Sequence, residues 1–319
     1  WMQFTAVGGS VLGAIQQRVL LIDADPQCNL TSFYIDEPRL EALLGGSDED
    51  NSDATIWSAI KPVVLGRGGI KKVGLWQLGA SQNLSLFPGD VLLSEFEEEL
   101  PQAWTDSFAR KVRGYDVMGA LSNAVTQAGN EINADVCIYD LGPNVGALNR
   151  AILLDCDYFI TPVAADLFSL RALSTVGKSI ARWIRDWKTV RTLATPADYS
   201  LLLSGEPAFL GYITSAYKVK AGQSATDPHS NWEKLIAPRV RDRIVEDLRA
   251  VDPKLVPQAG GNKLGSIKHF HSLAPHAQKH GIAMGNLRGL VNSGNNGQID
   301  EAKAEFRQLA HEIIKRAGI

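Results

Sequence analysis

Lysine is missing from the first sixty residues of this 319-residue chain; the first one is Lys61. An anion site built in that segment has no lysine to neutralise its ligand. Cysteine is scarce as well. Cys28, Cys137 and Cys156 form no CxxC pair and their number is odd, which argues against a disulfide framework or a cysteine zinc site. A reducing cytoplasm fits that usage. The six histidines show no zinc spacing backed by cysteine. An excess of one charge is also lacking. The net charge of −3 argues against coating nucleic acid through bulk charge and leaves room for a local basic patch. No apolar run approaches the roughly 20 residues that span a bilayer. The start lacks the basic, apolar and small-residue succession of a signal peptide. A soluble, cytoplasmic protein with no stable membrane insertion is expected. Trp1 ahead of Met2 reads as an added residue.

What is present is ordinary globular material, 45% hydrophobic and 21% charged. Short apolar runs at 2–7, 18–23, 135–140, 158–164 and 209–214, and "NLSLFPG" at 83–89, read as strands covered on both faces. Helical patterns lie between them, at 90–100, 169–187 and 299–317. The alternation predicts an α/β fold, a doubly wound, mostly parallel sheet flanked by helices. Acidic "GGSDEDNSD" at 45–53 and polar "KVKAGQSATDPHSN" at 218–231 read as surface loops. No linker stands out, so 1–319 reads as one domain. The closing helix could lie on a membrane surface, but its narrow apolar face and mixed charges favour core packing.

Two strands end in acid. "VLLIDAD" closes on Asp23 and Asp25, and "VCIYDLGP" closes on Asp140. Ligands of open parallel sheets bind beyond the carboxyl ends of the strands. Carboxylates there suit Mg²⁺, a hard cation that prefers oxygen and keeps several waters. A second carboxylate nearby can orient a water that attacks a phosphate. The bland alternative is a helix cap or a turn, and two such ends in one chain, each followed by a proline turn, weigh against it.

On these residues the chain resembles ParA/MinD-type ATPases, P-loop proteins with a deviant Walker A motif. "RVLLIDADPQCNLTS" at 18–32 resembles their switch I segment, and "CIYDLGPNVGALNRAILLDCDYFITPVAADLFSLRAL" at 137–173 resembles their Walker B and second switch. "ATIWSAI", "NLSLFPGDVLLSEFEEEL" and "SLAPHAQKHG" follow in the family's order. The resemblance implies ATP and Mg²⁺ as ligands, with Asp25 positioning the attacking water. It implies Asp23 in the Mg²⁺ and water network, and Asp140 reaching the ion through water. Pro26, Gln27, Pro143 and Gly146 would shape the switches. Gly8, Gly9 and Ser10 would belong to the phosphate loop, Ser10 on the Mg²⁺ side; a plain tight turn is the alternative. The adenine would rest on a loop near "KLGSIK", through Leu264, Gly265 and Lys268. The resemblance further implies a homodimer formed on ATP, a partner protein that stimulates the ATPase, and a cycle that positions or segregates cargo, DNA first.

The family pattern breaks at its start. A KGGxGK[ST] loop is expected after the first strand, and here only Gly8, Gly9 and Ser10 follow Val7. Ten residues separate Val7 from Arg18. A parallel crossover takes about a dozen or more. "SVLGAIQQ" as helix would span roughly 12 Å, whereas returning along a strand takes about 17–20 Å. Three explanations stay open: further residues in the natural chain, a degenerate member, or an engineered deletion. The second leaves a weakly hydrolysing or non-hydrolysing regulatory subunit of a larger assembly as the alternative function.

Elsewhere, Lys178, Arg182 and Arg185, with Lys188, fall on one side of a helix, and "APRVRDR" adds three arginines. These are candidate contacts to a DNA backbone; the bland reading is a solvated basic face with Trp183 or Trp187 beneath. Glu95 and Glu97 to Glu99 read as a solvated helix face. Cys28, where the family commonly has glycine, reads as a small packing residue.

Overall fold

Val19 to Asp23 form a strand, β1, every residue of which is fully buried. Four of the five are large aliphatics, each contributing about 1.5–3 kcal/mol when removed from water. The computed structural model describes residues 17–45, 54–78, 83–216, 228–257, 261–268, 270 and 272–319. It shows mostly parallel sheets flanked by helices, in two compact units.

The first unit comprises Trp1–Ile152, Leu193–Leu203 and His271–Lys303. After β1 come α1 (Asn29–Tyr34), α2 (Glu37–Gly45) and α3 (Ile56–Val64), then β2 (Trp76–Gln77) and β3 (Leu84–Phe87). Next are α4 (Leu93–Phe108), α5 (Val112–Ile132), β4 (Val136–Asp140) and α6 (Ala147–Asp155), the last running past the unit's boundary. The sheet order is β2-β3-β1-β4. β1 is central and parallel to β3 and β4, with Ile22 opposite Phe87 and Asp23 opposite Asp140. Three parallel strands thus bring their carboxyl ends to one edge. β2 pairs antiparallel with β3.

The second unit comprises Leu153–Thr192, Ser204–Phe270 and Ala304–Ile319. Its sheet, β5 (Tyr158–Ala164), β6 (Ala208–Ala216) and β7 (Lys263–Lys268), is parallel in that order. Its helices are α7 (Leu167–Leu193), α8 (Pro228–Val240) and α9 (Glu246–Arg249), α7 ending at the boundary. α10 (Ala274–His280) returns to the first unit, and α11 (Asn296–Ala317) begins in the first and ends in the second. On α11, Ile299, Ala302, Phe306 and Leu309 are buried, the core packing expected of the last helix.

Strands stand at five of the six expected places, and the run at 2–7 lies outside the described residues. Of the two expected loops, 46–53 and 217–227 are also outside them. Residues 228–231 are corrected from loop to helix: Pro228 opens α8, where a fixed φ and a missing N–H do no harm. α5 was not foreseen. Its buried face includes Gly114, Gly119, Ala120, Ala124, Ala128 and Gly129, small residues that make little apolar periodicity. "KLGSIK" itself forms strand β7.

Gly177 on α7 shows packing overriding propensity. Alanine is favoured over glycine inside a helix by about 1 kcal/mol, yet a Cβ here would land on the backbone carbonyl of Arg243. Backbone cannot swing aside as a flexible side chain can. Gly177→Ala should therefore destabilise, by about 1–3 kcal/mol after overpacking strain exceeds the propensity gain. Urea unfolding checks it; a rise in stability would refute the close approach.

Candidate nucleotide site

The carboxyl edge of β1 and β4 collects the acids. Asp23 and Asp140 face each other in register, and the ladder runs one step further as the Ala24 N–H donates to the Asp140 carbonyl at 3.0 Å. Asp23 is 0% exposed, Asp140 3% and Asp25 8%. The chain then turns sharply. Asp25 to Cys28 make a β-turn closed by the Cys28 N–H on the Asp25 carbonyl at 2.8 Å, with proline at the second position, where its fixed φ suits the turn. The Asp25 carboxylate is held by its own turn: Oδ1 accepts from the Gln27 N–H at 3.1 Å and Oδ2 from Asn29 Nδ2 at 3.3 Å.

Cys28 caps α1 in the left-handed region, φ 51° and ψ 35°. That conformation favours glycine, and a buried cysteine adopts it here. Burial, with the charges of Asp23, Asp90 and Asp25 behind it, pushes the thiol pKa up, so this sulfur packs and does not react.

Asp23 is held from α1. Its Oδ2 accepts from the Thr31 N–H at 2.7 Å and from the Thr31 hydroxyl at 2.6 Å. The same hydroxyl accepts from the Gly89 N–H at 2.8 Å. Asp23 Oδ1 is buried with no hydrogen-bond partner among the described residues. Burial raises the Asp23 carboxyl from 3.8 to about 7; the Asp140 charge adds to the rise, and the Thr31 bonds, with a smaller contribution from the nearby Asp25 N–H, offset part of it. Next to Gly89, buried Asp90 accepts from the Thr55 hydroxyl at 2.7 Å and from the Leu92 N–H at 3.0 Å. Thr55 in turn caps α3 through the Ser58 N–H.

The turn after β4 reaches the first turn. A Cβ on Gly142 would lie 3.2 Å from Asp25 Oδ1. Asn149 ties this turn down by donating to the Gly142 and Asn144 carbonyls at 2.8 and 2.7 Å. A Cβ on Gly146 would strike the Glu97 carboxylate. Glu97 is thus half-buried against this turn, a correction to its reading as solvated; Glu95, Glu98 and Glu99 are exposed. Pro143 is exposed, and Arg150 on α6 lies 4.0 Å over the Trp104 ring on α4.

Among the described residues no group of three or more His, Cys, Asp or Glu could hold a metal ion. Mg²⁺ needs no such cage: one or two carboxylates suffice, with water and phosphate completing the shell. The unpartnered Asp23 oxygen beside Asp140 is a donor set of the right hardness. The edge thus brings together Asp23, Asp25, Pro26, Gln27, Asp140 and the Gly142–Gly146 turn. Gly8, Gly9 and Ser10 lie outside the described residues. Leu264, Gly265 and Lys268 stand on β7 of the second unit, where Leu264 is buried and Lys268 pairs with Glu305 at 3.4 Å. Lys178, Arg182 and Arg185 are exposed on α7, with Trp183 and Trp187 buried on the other side; Lys188 is engaged by Asp252 at 3.1 Å. Sequence reasoning missed Thr31, Asn29, Gly89, Asn149 and Glu97. The spacing from Asp25 to Asn29 is a turn-to-helix signal, and Asn149 bonds carbonyls only five and seven residues back; Gly89 and Glu97 are joined to the site only by tertiary contact.

A family model described as an AAA domain, AAA_31, matches residues 7–191. The chain is 29% identical over 167 residues to the sporulation initiation inhibitor protein Soj of Bacillus subtilis, covering 52% of this chain and 54% of Soj. It is 26% identical over 188 residues to the virulence plasmid ParA family protein pGP5-D of Chlamydia psittaci, covering 54% and 58%. The matches span a little over half the length of these curated relatives. Among solved structures, the protein DIP2308 of Corynebacterium diphtheriae shares the fold, with a TM-score of 0.69 and 21% identity over 98% of this chain and 94% of that one.

Asp23 makes stability depend on pH. A carboxyl whose folded pKa is raised binds its proton more tightly in the native state. Its contribution is complete below pH 4 and is lost as pH rises through about 7. Urea unfolding of the nucleotide-free protein should lose a few kcal/mol across that window. Asp23→Asn, which keeps an acceptor for Thr31 without a charge, should remove most of the dependence. Parallel curves for the two proteins would contradict the buried, proton-binding Asp23.

Proposed function

The chain belongs to the AAA-domain family AAA_31 and is of the ParA/MinD type, and from that premise we propose that it is a P-loop ATPase that hydrolyses Mg-ATP and uses the cycle to position or segregate cargo. The observation that carries this is the register of Asp23 with Asp140 at the carboxyl edge, with Asp25 locked in the next turn. Asp140 and Asp23 would hold Mg²⁺, Asp140 through water. The ion, when bound, neutralises charge on the phosphates. Ser10, Gly8 and Gly9 would face the phosphates, and Leu264, Gly265 and Lys268 the adenine; both assignments rest on the family resemblance. Asp25 would orient the attacking water, its carboxylate fixed by Gln27 and Asn29 so that little reorganisation is left for the reaction. Gly142 against Asp25 couples the second turn to the first.

Residues 1–319 would act as one ATPase domain, dimerising on ATP, with a partner protein that stimulates turnover. The plasmid relative supports DNA as cargo. The exposed Lys178, Arg182 and Arg185 on α7 supply the charge for non-specific contact. No described helix is long and apolar enough to cross a membrane; a cytoplasmic site of action is part of the proposal. A second reading, a regulatory subunit that binds nucleotide with little or no hydrolysis, is favoured by the absence of lysine before Lys61. ATP turnover decides between the two.

Asp25→Ala should reduce kcat for ATP by roughly 10²–10⁴-fold while Mg-ATP still binds by calorimetry. Turnover unchanged in that variant would remove Asp25 from the chemistry. For DNA, Arg182→Glu with Arg185→Glu should weaken binding across all sequences and lower the slope of log affinity against log salt by about 2. An unchanged slope would send the DNA contact elsewhere.

A further inference from the structure

We propose that Thr31 is a positioning residue: together with Gly89 it spends one Asp23 oxygen and keeps the other free for the Mg²⁺ and water network. The inference rests on the nucleotide reading above and adds two residues to it.

A hydroxyl has one proton to give. The Thr31 hydroxyl accepts from the Gly89 N–H at 2.8 Å, which turns its proton toward Asp23 Oδ2 at 2.6 Å. The Thr31 N–H meets the same oxygen at 2.7 Å. Two donors on one oxygen fix the plane of the carboxyl group. Oδ1 remains buried and without a partner among the described residues. A buried acceptor left unspent costs about 1–3 kcal/mol, so a carboxylate that served structure alone would be expected to spend both oxygens. Asp90 does so, taking Leu92 on Oδ1 and Thr55 on Oδ2. Asp23 carries the same threonine device with half of it withheld.

Gly89 closes the arrangement. A Cβ there would stand 2.8 Å from the Asp23 carbonyl and 3.0 Å from Asp23 Cγ, so only glycine lets the end of β3 deliver its N–H to Thr31 without displacing Asp23. Thr31 sits on the helix that follows the Asp25 turn, and any shift of that helix is passed to Asp23.

The test uses the full chain and ATP, by calorimetry with Mg²⁺ and with EDTA. Thr31→Val, which removes the hydroxyl and keeps the N–H, should cut the Mg²⁺-dependent gain in ATP affinity by about tenfold or more and leave the EDTA affinity unchanged. Thr31→Ser should restore most of the gain, and Gly89→Ala should reproduce the loss with Thr31 intact. On an Asp23→Ala background Thr31→Val should have no further effect. An intact Mg²⁺ gain in Thr31→Val, or additive losses in the double variant, overturns the proposal. A wild type that binds no ATP fails the nucleotide reading itself. The unfolding cycle between Thr31→Val and Asp23→Ala then decides the contact: coupling supports the hold on Asp23, additivity overturns it.

Discussion

Asp23 sits at the end of the most buried strand among the described residues, and one threonine binds the same oxygen of it twice. Much of the first unit's edge depends on that contact. It ties α1 to β1, and through the Gly89 N–H it ties both to the end of β3. A carboxyl group in such a place is costly as an anion, and burial accordingly raises its pKa. The site is thus built under electrostatic strain: Asp140 stands in register beside Asp23, with Asp25 on the next turn. Like charges gathered where little water reaches make a place for a cation.

The same device recurs one turn away, where Thr55 binds Asp90 and caps α3. The two copies differ in what is left over. Asp90 spends both oxygens and locks the starts of two helices, whereas Asp23 keeps one in reserve. The difference between them is a single unmade hydrogen bond. The second turn is shaped by exclusion as much as by bonding: a side chain on Gly146 would meet Glu97, and one on Gly142 would crowd Asp25.

Much of the fold was legible. The aliphatic runs of β1, β5 and β6 stand out because strands buried on both faces must be apolar throughout, and the Asp-Pro-Gln turn declares itself because proline and aspartate have strong local preferences. α5 was hidden because its glycines and alanines fit against neighbours no local pattern reveals. β7 was hidden because its alternation is interrupted by Gly265 and its lysines, and it is held in place by β6. Glu97 reads as solvated from its helix face, and becomes part of the second turn only because α4 brings it to Gly146.

What the sequence by itself determined is the chemistry available: two apolar strands ending in aspartate, a turn that fixes Asp25, and no lysine in the first sixty residues to balance them. These are local properties, set by side-chain type and by spacing of a few residues. Which oxygens are spent and which are left was decided only by the tertiary structure. Thr31 lies eight residues from Asp23 and Gly89 fifty-eight from Thr31, and their meeting requires β1 and β3 to lie side by side. Hydrogen bonds act over about 3 Å, and only folding brings such distant residues within that reach.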